Sequence, residues 1–200
     1  MIFKKNAVVI DFELFSKAYH PINLKYWKLY GAEKVSKANL RYGRLRETFD
    51  VLDVKISDKT IHQLAIDYID YLTTHNHVFD GTIEILEYLK PKYKLHIITN
   101  GFEEVQQSKL EKAKIAHYFE TITNSEMVGV KKPNPKMFHH ALSLANIEKE
   151  HGIMIGDNPE ADVYGALNIG LDAICFNYHK VEMEDHIKQI DHLLELKNYL

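Results

Sequence analysis

From Gly81 onward, segments of helical periodicity alternate with short apolar runs, and this alternation constrains the fold more than any other feature of the chain. Helical patterning covers residues 82–89, 103–114, 135–145 and 159–169, and each stretch precedes a short strand, at 95–99, 121–123, 153–156 and 173–176. Strands separated in strict turn by helices form a parallel sheet with helices on its faces. Ligands of such sheets bind outside the carboxyl ends of the strands. Residues 182–197 are charged, with Ile187, Ile190, Leu193 and Leu194 at helix-like intervals, and read as a surface element closing the domain.

Residues 12–78 read as helix throughout, with Ala7-Val8-Val9-Ile10 the one nearby run that suits a strand. Asp11 is placed to cap a helix bearing Phe12, Phe15 and Tyr19 on one side. Pro21 is expected to break or kink it, and a second stretch ends at Gly31. Ser36 and Ser57 are expected to cap the next two helices. The reading is a helical domain over 1–78 and an α/β domain over 79–200. Tyr19, Tyr26, Trp27, Tyr30 and Tyr42 crowd the helical half, where packing of a small lobe is their expected work.

Composition narrows the function classes. The 200 residues are 46% hydrophobic and 26% charged, which suits a globular core rather than disorder. A net charge of −3 with mixed signs gives no footprint for a nucleic-acid polymer. The apolar runs are too short to span a membrane. The one cysteine, Cys175, lies in an apolar stretch and reads as a buried thiol; the absence of any possible intrachain disulfide fits a cytoplasmic protein. Twelve histidines include the pairs His75/His77 and His139/His140, neither with the helical spacing of metal ligands.

Three strand ends carry polar residues suited to chemistry. Ile97-Ile98-Thr99-Asn100-Gly101 offers a hydroxyl and backbone N–H groups to an anionic oxygen, or simply caps a strand-to-helix turn. In Gly129-Val130-Lys131-Lys132-Pro133-Asn134-Pro135, Lys132 is a fixed positive charge beside a proline, whereas Lys131 reads as a solvated lysine. In Ile155-Gly156-Asp157-Asn158-Pro159-Glu160-Ala161-Asp162, a buried strand delivers Asp157, with Asp162 in the next helix. This oxygen-rich set suits Mg²⁺, or else the carboxylates cap the helix.

The order of these motifs resembles the haloacid dehalogenase (HAD) superfamily, and their wording is closest to the helical-cap nucleotidases that act on pyrimidine nucleoside monophosphates. The resemblance covers nearly the whole chain. Tyr19-His20-Pro21-Ile22-Asn23 and Tyr26-Trp27 resemble that subgroup's cap. It implies a Rossmann-like core with an α-helical cap, and a cytoplasmic Mg²⁺-dependent phosphomonoester hydrolase working through an aspartyl-phosphate on a small phosphorylated substrate, a nucleotide. It also implies that Thr99, Asn100, Gly101 and Lys132 bind phosphate, that Lys132 acts in catalysis by offsetting negative charge, and that Asp157 and Asp162 serve the metal.

One part of the family's pattern is not matched. The nucleophile motif is Asp-x-Asp-x-Thr or Val at the end of the first core strand, and the local candidate is Asp11-Phe12-Glu13-Leu14-Phe15. Glu13 is one methylene longer than Asp, an offset of about 1 Å that can cost roughly 100-fold in rate. Asp11 also lies only eight residues before Tyr19, within the cap resemblance. The expectation is that Asp11 is a helix cap and not the nucleophile, that Met1 falls inside the first cap helix, and that the chain as written is inactive or impaired. The first core strand is then absent or replaced by residues 7–10, leaving a slot roughly 9.6 Å wide between its neighbours. The alternatives are a non-catalytic anion- or metal-binding protein and, less favoured, a haloacid dehalogenase.

Overall fold

The computed structural model describes residues 2–74 and 76–200. Met1 and His75, which figure in the expectations above, lie outside the described residues. The chain divides into two compact units, Met1–His75 and Asn76–Leu200.

The first unit is helical: α1 (Ile2–Lys5), α2 (Phe12–Gly31), α3 (Lys37–Val51) and α4 (Asp58–Leu72). Side-chain caps start the three long helices: Asp11, Ser36 and Ser57 accept hydrogen bonds from the N–H groups of Leu14, Asn39 and Thr60. Pro21 does not divide α2, contrary to expectation. Phe15 on one side of it and Ile22 and Tyr30 on the other are all buried, so packing holds the helix together across the lost donor. The core joins Phe15, Leu45, Phe49, Ile61 and Leu64. Residues 7–10 form no strand: Ala7 sits at φ 53°, and Val8 and Ile10 pack against this core. The Lys5 ammonium and the Asn6 amide donate to the buried Asp67 carboxylate at 2.7 and 2.6 Å, fastening the N-terminal segment to α4. Several aromatics of this unit pack on neighbouring rings: Tyr19 stacks on Phe15, Trp27 lies edge-on to Tyr30, and Tyr42 lies against His62.

The second unit is α/β. Its strands are β1 (Leu95–Thr99), β2 (Phe119–Asn124), β3 (Ile153–Gly156), β4 (Asp172–Phe176) and β5 (Gln189–Ile190), and every pairing is parallel. Its helices are α5 (Thr82–Leu89), α6 (Glu103–Lys112), α7 (Ser125–Val128), α8 (Pro135–Ala145) and α9 (Gly165–Leu167). The sheet is in two pieces, β1-β2 and β3-β4-β5. Met137 and Phe138 of α8 pack with Met154 and Cys175 in one apolar layer, and Ile85 and Leu89 of α5 pack with Ile174 and Leu196 in another. Burying such a side chain contributes roughly 1.5–3 kcal/mol, so these two layers hold the strands between helices.

In two places the structure departs from helical spacing. The helix-like intervals of residues 182–197 belong to two short elements: Ile190 lies on β5, paired with Phe176, and a 3-10 helix spans Leu193–Asn198. A three-residue spacing of buried positions fits a turn followed by a strand as well as a helix. Asn177 makes the turn, donating to the Val181 carbonyl and to Gln189 and accepting from the Val181 N–H. The helix expected over 159–169 begins as a π-helix, Pro159–Tyr164, before α9. The Val163 N–H reaches back five residues to the Asn158 carbonyl at 3.4 Å, which widens the turn.

Candidate phosphate and metal site

The polar residues expected to matter converge at the carboxyl ends of β1 and β3. Thr99 ends β1, and its hydroxyl accepts a hydrogen bond from the Gly101 N–H at 2.9 Å. Asn100 follows, and its amide is engaged with the backbone of Lys132: Nδ2 donates to the Lys132 carbonyl at 2.9 Å, and Oδ1 accepts from the Lys132 N–H at 2.8 Å. Asn100 thus holds the lysine loop against the end of β1, a job that the sequence motif does not reveal.

The Lys132 side chain is 8% exposed. Its ammonium donates to the Ile98 carbonyl at 2.7 Å and pairs with Asp162 Oδ1 at 2.6 Å. The second Asp162 oxygen accepts from the Asn158 N–H at 3.1 Å. Asp162 packs directly over Gly156: a Cβ there would collide with the Asp162 carboxylate. The glycine and the π-turn together let a buried carboxylate lie against the end of β3. Lys131 is half-buried beside this loop.

Asp157 is in a different situation. Its side chain is 57% exposed at the end of β3, and His179, three residues past β4, places Nε2 3.3 Å from its Oδ2. Asn158 caps the π-helix through the Ala161 N–H. His179 went unremarked in the sequence, and its position just beyond a strand's carboxyl end is the signal that would have found it. Cys175 pairs in register with Gly156 behind the site, and burial pushes its thiol pKa up, with the charges of Asp157 and Asp162 adding to the effect.

The arrangement is a buried ammonium, one solvent-facing carboxylate and one internally satisfied carboxylate beside a strand-end hydroxyl. No group of three or more His, Cys, Asp or Glu side chains suited to a metal occurs among the described residues. Mg²⁺ commonly takes one or two carboxylates and keeps several waters, so Asp157 fits as a direct ligand. Asp162, with both oxygens engaged, fits a supporting position behind it. Asp11 is the α2 cap in the helical unit. No described helix is long and apolar enough to cross a membrane.

The haloacid dehalogenase-like hydrolase family model matches residues 13–176. The chain belongs to that family. Within the haloacid dehalogenase-like hydrolases it is 32% identical over 173 residues to the pyrimidine 5′-nucleotidase YjjG of Escherichia coli, an alignment covering 84% of this chain and 73% of that protein. It is 30% identical to the pyrimidine 5′-nucleotidase PynA of Streptococcus pneumoniae, covering 89% and 75% of the two chains. In fold it is similar to the putative HAD-hydrolase YfnB of Bacillus subtilis, solved bound to magnesium, with a TM-score of 0.87 at 22% identity over 100% of this chain and 87% of that one. The resemblance read from the three motifs is therefore borne out at the level of family and fold.

Proposed function

We propose that the carboxyl ends of β1 and β3 form the phosphate and Mg²⁺ site of a phosphomonoester hydrolase whose substrates are pyrimidine nucleoside 5′-monophosphates. The observation that carries this reading is the Lys132 ammonium, buried and fixed beside the end of β1. A lysine held there offsets the charge of a phosphate gathered at Thr99 and the Gly101 backbone. Asp157 holds Mg²⁺, and Asp162 fixes Lys132 and stands behind the metal. Bound Mg²⁺ would supply charge stabilisation at the phosphoryl oxygens. Similarity to the two pyrimidine nucleotidases supports the substrate class.

The chain as written retains this binding chemistry without turnover. An aspartyl-phosphate needs an aspartate nucleophile with a second aspartate two residues on, and the sequence offers Asp11 followed by Glu13, with Asp11 engaged as a helix cap. The same observation favours a second reading, a protein that binds phosphate or metal without hydrolysis.

Calorimetric titration with Mg²⁺ and uridine 5′-monophosphate tests the site itself. Saturable, Mg²⁺-dependent binding is expected in the parent chain, together with its loss in Asp157→Asn, a substitution at an exposed side chain that leaves the melting temperature unchanged. Absence of heat and of thermal stabilisation by either ligand would remove both readings.

A further inference from the structure

Beside the exposed Asp157 carboxylate, the α/β unit carries a run of aromatic side chains. It starts at His179, the neighbour of Asp157 already described. The Tyr178 ring follows, 5.3 Å from that of His179, and the Phe79 ring lies 4.8 Å from Tyr178. Phe176, the last residue of β4, is buried, with its ring 5.3 Å from Phe79 and 6.0 Å from Tyr178. β4 pairs with β3. The run therefore begins one strand spacing, about 4.8 Å, from the strand that delivers Asp157.

Phe79 is 50% exposed and Tyr178 54%. A single exposed apolar side chain needs no explanation. Here two aromatic rings touch each other and lead away from a carboxylate at a strand's carboxyl end. Phe79 meets Phe176 at 82° and Tyr178 at 61°, and Tyr178 meets His179 at 72°. None of these contacts is a parallel stack, so ring faces are left open to a planar group.

The backbone under both rings is fixed. The Asn177 side chain ties the turn after β4 to Val181 and Gln189 through three hydrogen bonds, and the Tyr178 N–H donates to the Phe176 carbonyl at 2.8 Å. The Phe79 carbonyl accepts from the Thr82 hydroxyl at 2.7 Å and from the Thr82 N–H at 3.1 Å. Lys180, in the same turn as Tyr178, is paired with Asp191. Rings set in place beforehand lose less freedom when a ligand binds.

We propose that Phe79 and Tyr178 form a stacking platform for the planar ring of the substrate's leaving group, so that the site selects phosphate esters of nucleosides over those of aliphatic alcohols. The inference rests on the phosphate and Mg²⁺ reading for its anchor. The phosphate lies at Thr99, Gly101 and Lys132, and the ring reaches past Asp157 and His179 to the platform. Every base has a π-face, so stacking tolerates base identity. The platform therefore distinguishes a ring from no ring, and not one base from another. Phe79 and Tyr178 set specificity and take no part in the chemical step.

Calorimetric titrations with Mg²⁺ compare uridine 5′-monophosphate with ribose 5-phosphate, which keeps the phosphate and the sugar and lacks the base. The parent chain is expected to bind the nucleotide at least fivefold more tightly. Tyr178→Ala and Phe79→Ala should each weaken nucleotide binding roughly 5- to 150-fold, the range of base–aromatic stacking, and leave ribose 5-phosphate affinity unchanged. Tyr178→Phe keeps the ring and should bind the nucleotide as the parent does. Saturation-transfer NMR with uridine alone reads the platform without the phosphate site. Transfer from protein aromatic protons to the base is expected, and its loss in Tyr178→Ala. Should Phe79→Ala fail to fold, the two Tyr178 variants still decide. Equal affinity of the parent for the two phosphates, unchanged nucleotide affinity in the alanine variants, or an equal loss for both ligands would overturn the platform and leave the phosphate reading standing. Failure of both phosphates to bind, with uridine still reached by transfer, would overturn the phosphate reading alone. Absence of both signals would overturn both.

Discussion

The side-chain amide of Asn100 and the backbone of Lys132 exchange two hydrogen bonds, at 2.9 and 2.8 Å, across 32 positions of sequence. The pair couples the end of β1 to the loop that carries the buried ammonium. Removing the amide leaves the Lys132 N–H and carbonyl without these partners, at a cost of about 1–3 kcal/mol. Asn100→Ala should lower the urea midpoint accordingly and weaken phosphate binding, while Asn100→Asp, which keeps the acceptor and loses the donor, should fall between. Unchanged stability in Asn100→Ala would show that the clamp is not needed to hold the loop.

Gly156 is required by the approach of Asp162 and not by its own backbone angles, since its φ is not positive. Gly156→Ala forces the Asp162 carboxylate away and strains its bond to Lys132. Overpacking of this kind costs about 1–3 kcal/mol. Gly129→Ala places a Cβ in open space but at φ +78°, where the left-handed backbone alone costs roughly 1–2 kcal/mol. Chemical denaturation should show a loss for both, and only Gly156→Ala should also disturb binding of Mg²⁺ and phosphate.

The contact between Lys5 and Asp67 predicts a pH window for the helical unit. The hydrogen bond from Lys5, with that from Asn6, holds the Asp67 carboxyl below the usual carboxylate range, and the same contact raises the Lys5 pKa. A depressed carboxylate pKa contributes stability above its unfolded value, about 3.9, which is lost as pH falls through the folded value. A raised lysine pKa contributes below its unfolded value, about 10.4, and is lost as pH rises through the folded value. The contribution is therefore full between these limits. Trp27, the chain's one tryptophan, reports this unit. Its fluorescence should show Asp67→Asn melting lower than the parent at neutral pH, with the difference shrinking toward pH 3.

Cys175 has no exposed surface, and burial raises its thiol pKa. Alkylation depends on the thiolate and on access. Iodoacetamide at pH 8 should therefore modify the native chain at least tenfold more slowly than the chain in 6 M urea. Equal rates would show that β4 opens readily or that the thiol is not enclosed.

Much of the second unit is legible in the sequence because its signals are local. The apolar run ending at Thr99 and the Gly-Asp turn after Ile155 specify β1 and β3 through periodicity and turn chemistry. The Asp11, Ser36 and Ser57 caps are equally local. What escapes depends on long-range packing. The Asn100 clamp joins residues far apart in sequence, and the π-turn that seats Asp162 over Gly156 looks like an ordinary helix start. His179 approaches Asp157 from a loop with no pattern of its own. The tail from Glu182 is ambiguous because buried residues three apart suit a turn and strand as well as a helix. Pro21 misleads because packing on both sides of it outweighs one lost donor.

The central proposal is that this haloacid dehalogenase-like chain binds phosphate and Mg²⁺ at the carboxyl ends of β1 and β3 without turning substrate over. Phosphate release from uridine 5′-monophosphate with Mg²⁺, measured beside the Escherichia coli nucleotidase YjjG, tests it directly. The account predicts turnover at least 1,000-fold below that relative, on the order of the loss from removing a catalytic group, and no further change in Asp11→Asn. Turnover comparable to the relative, abolished by Asp11→Asn, would contradict it.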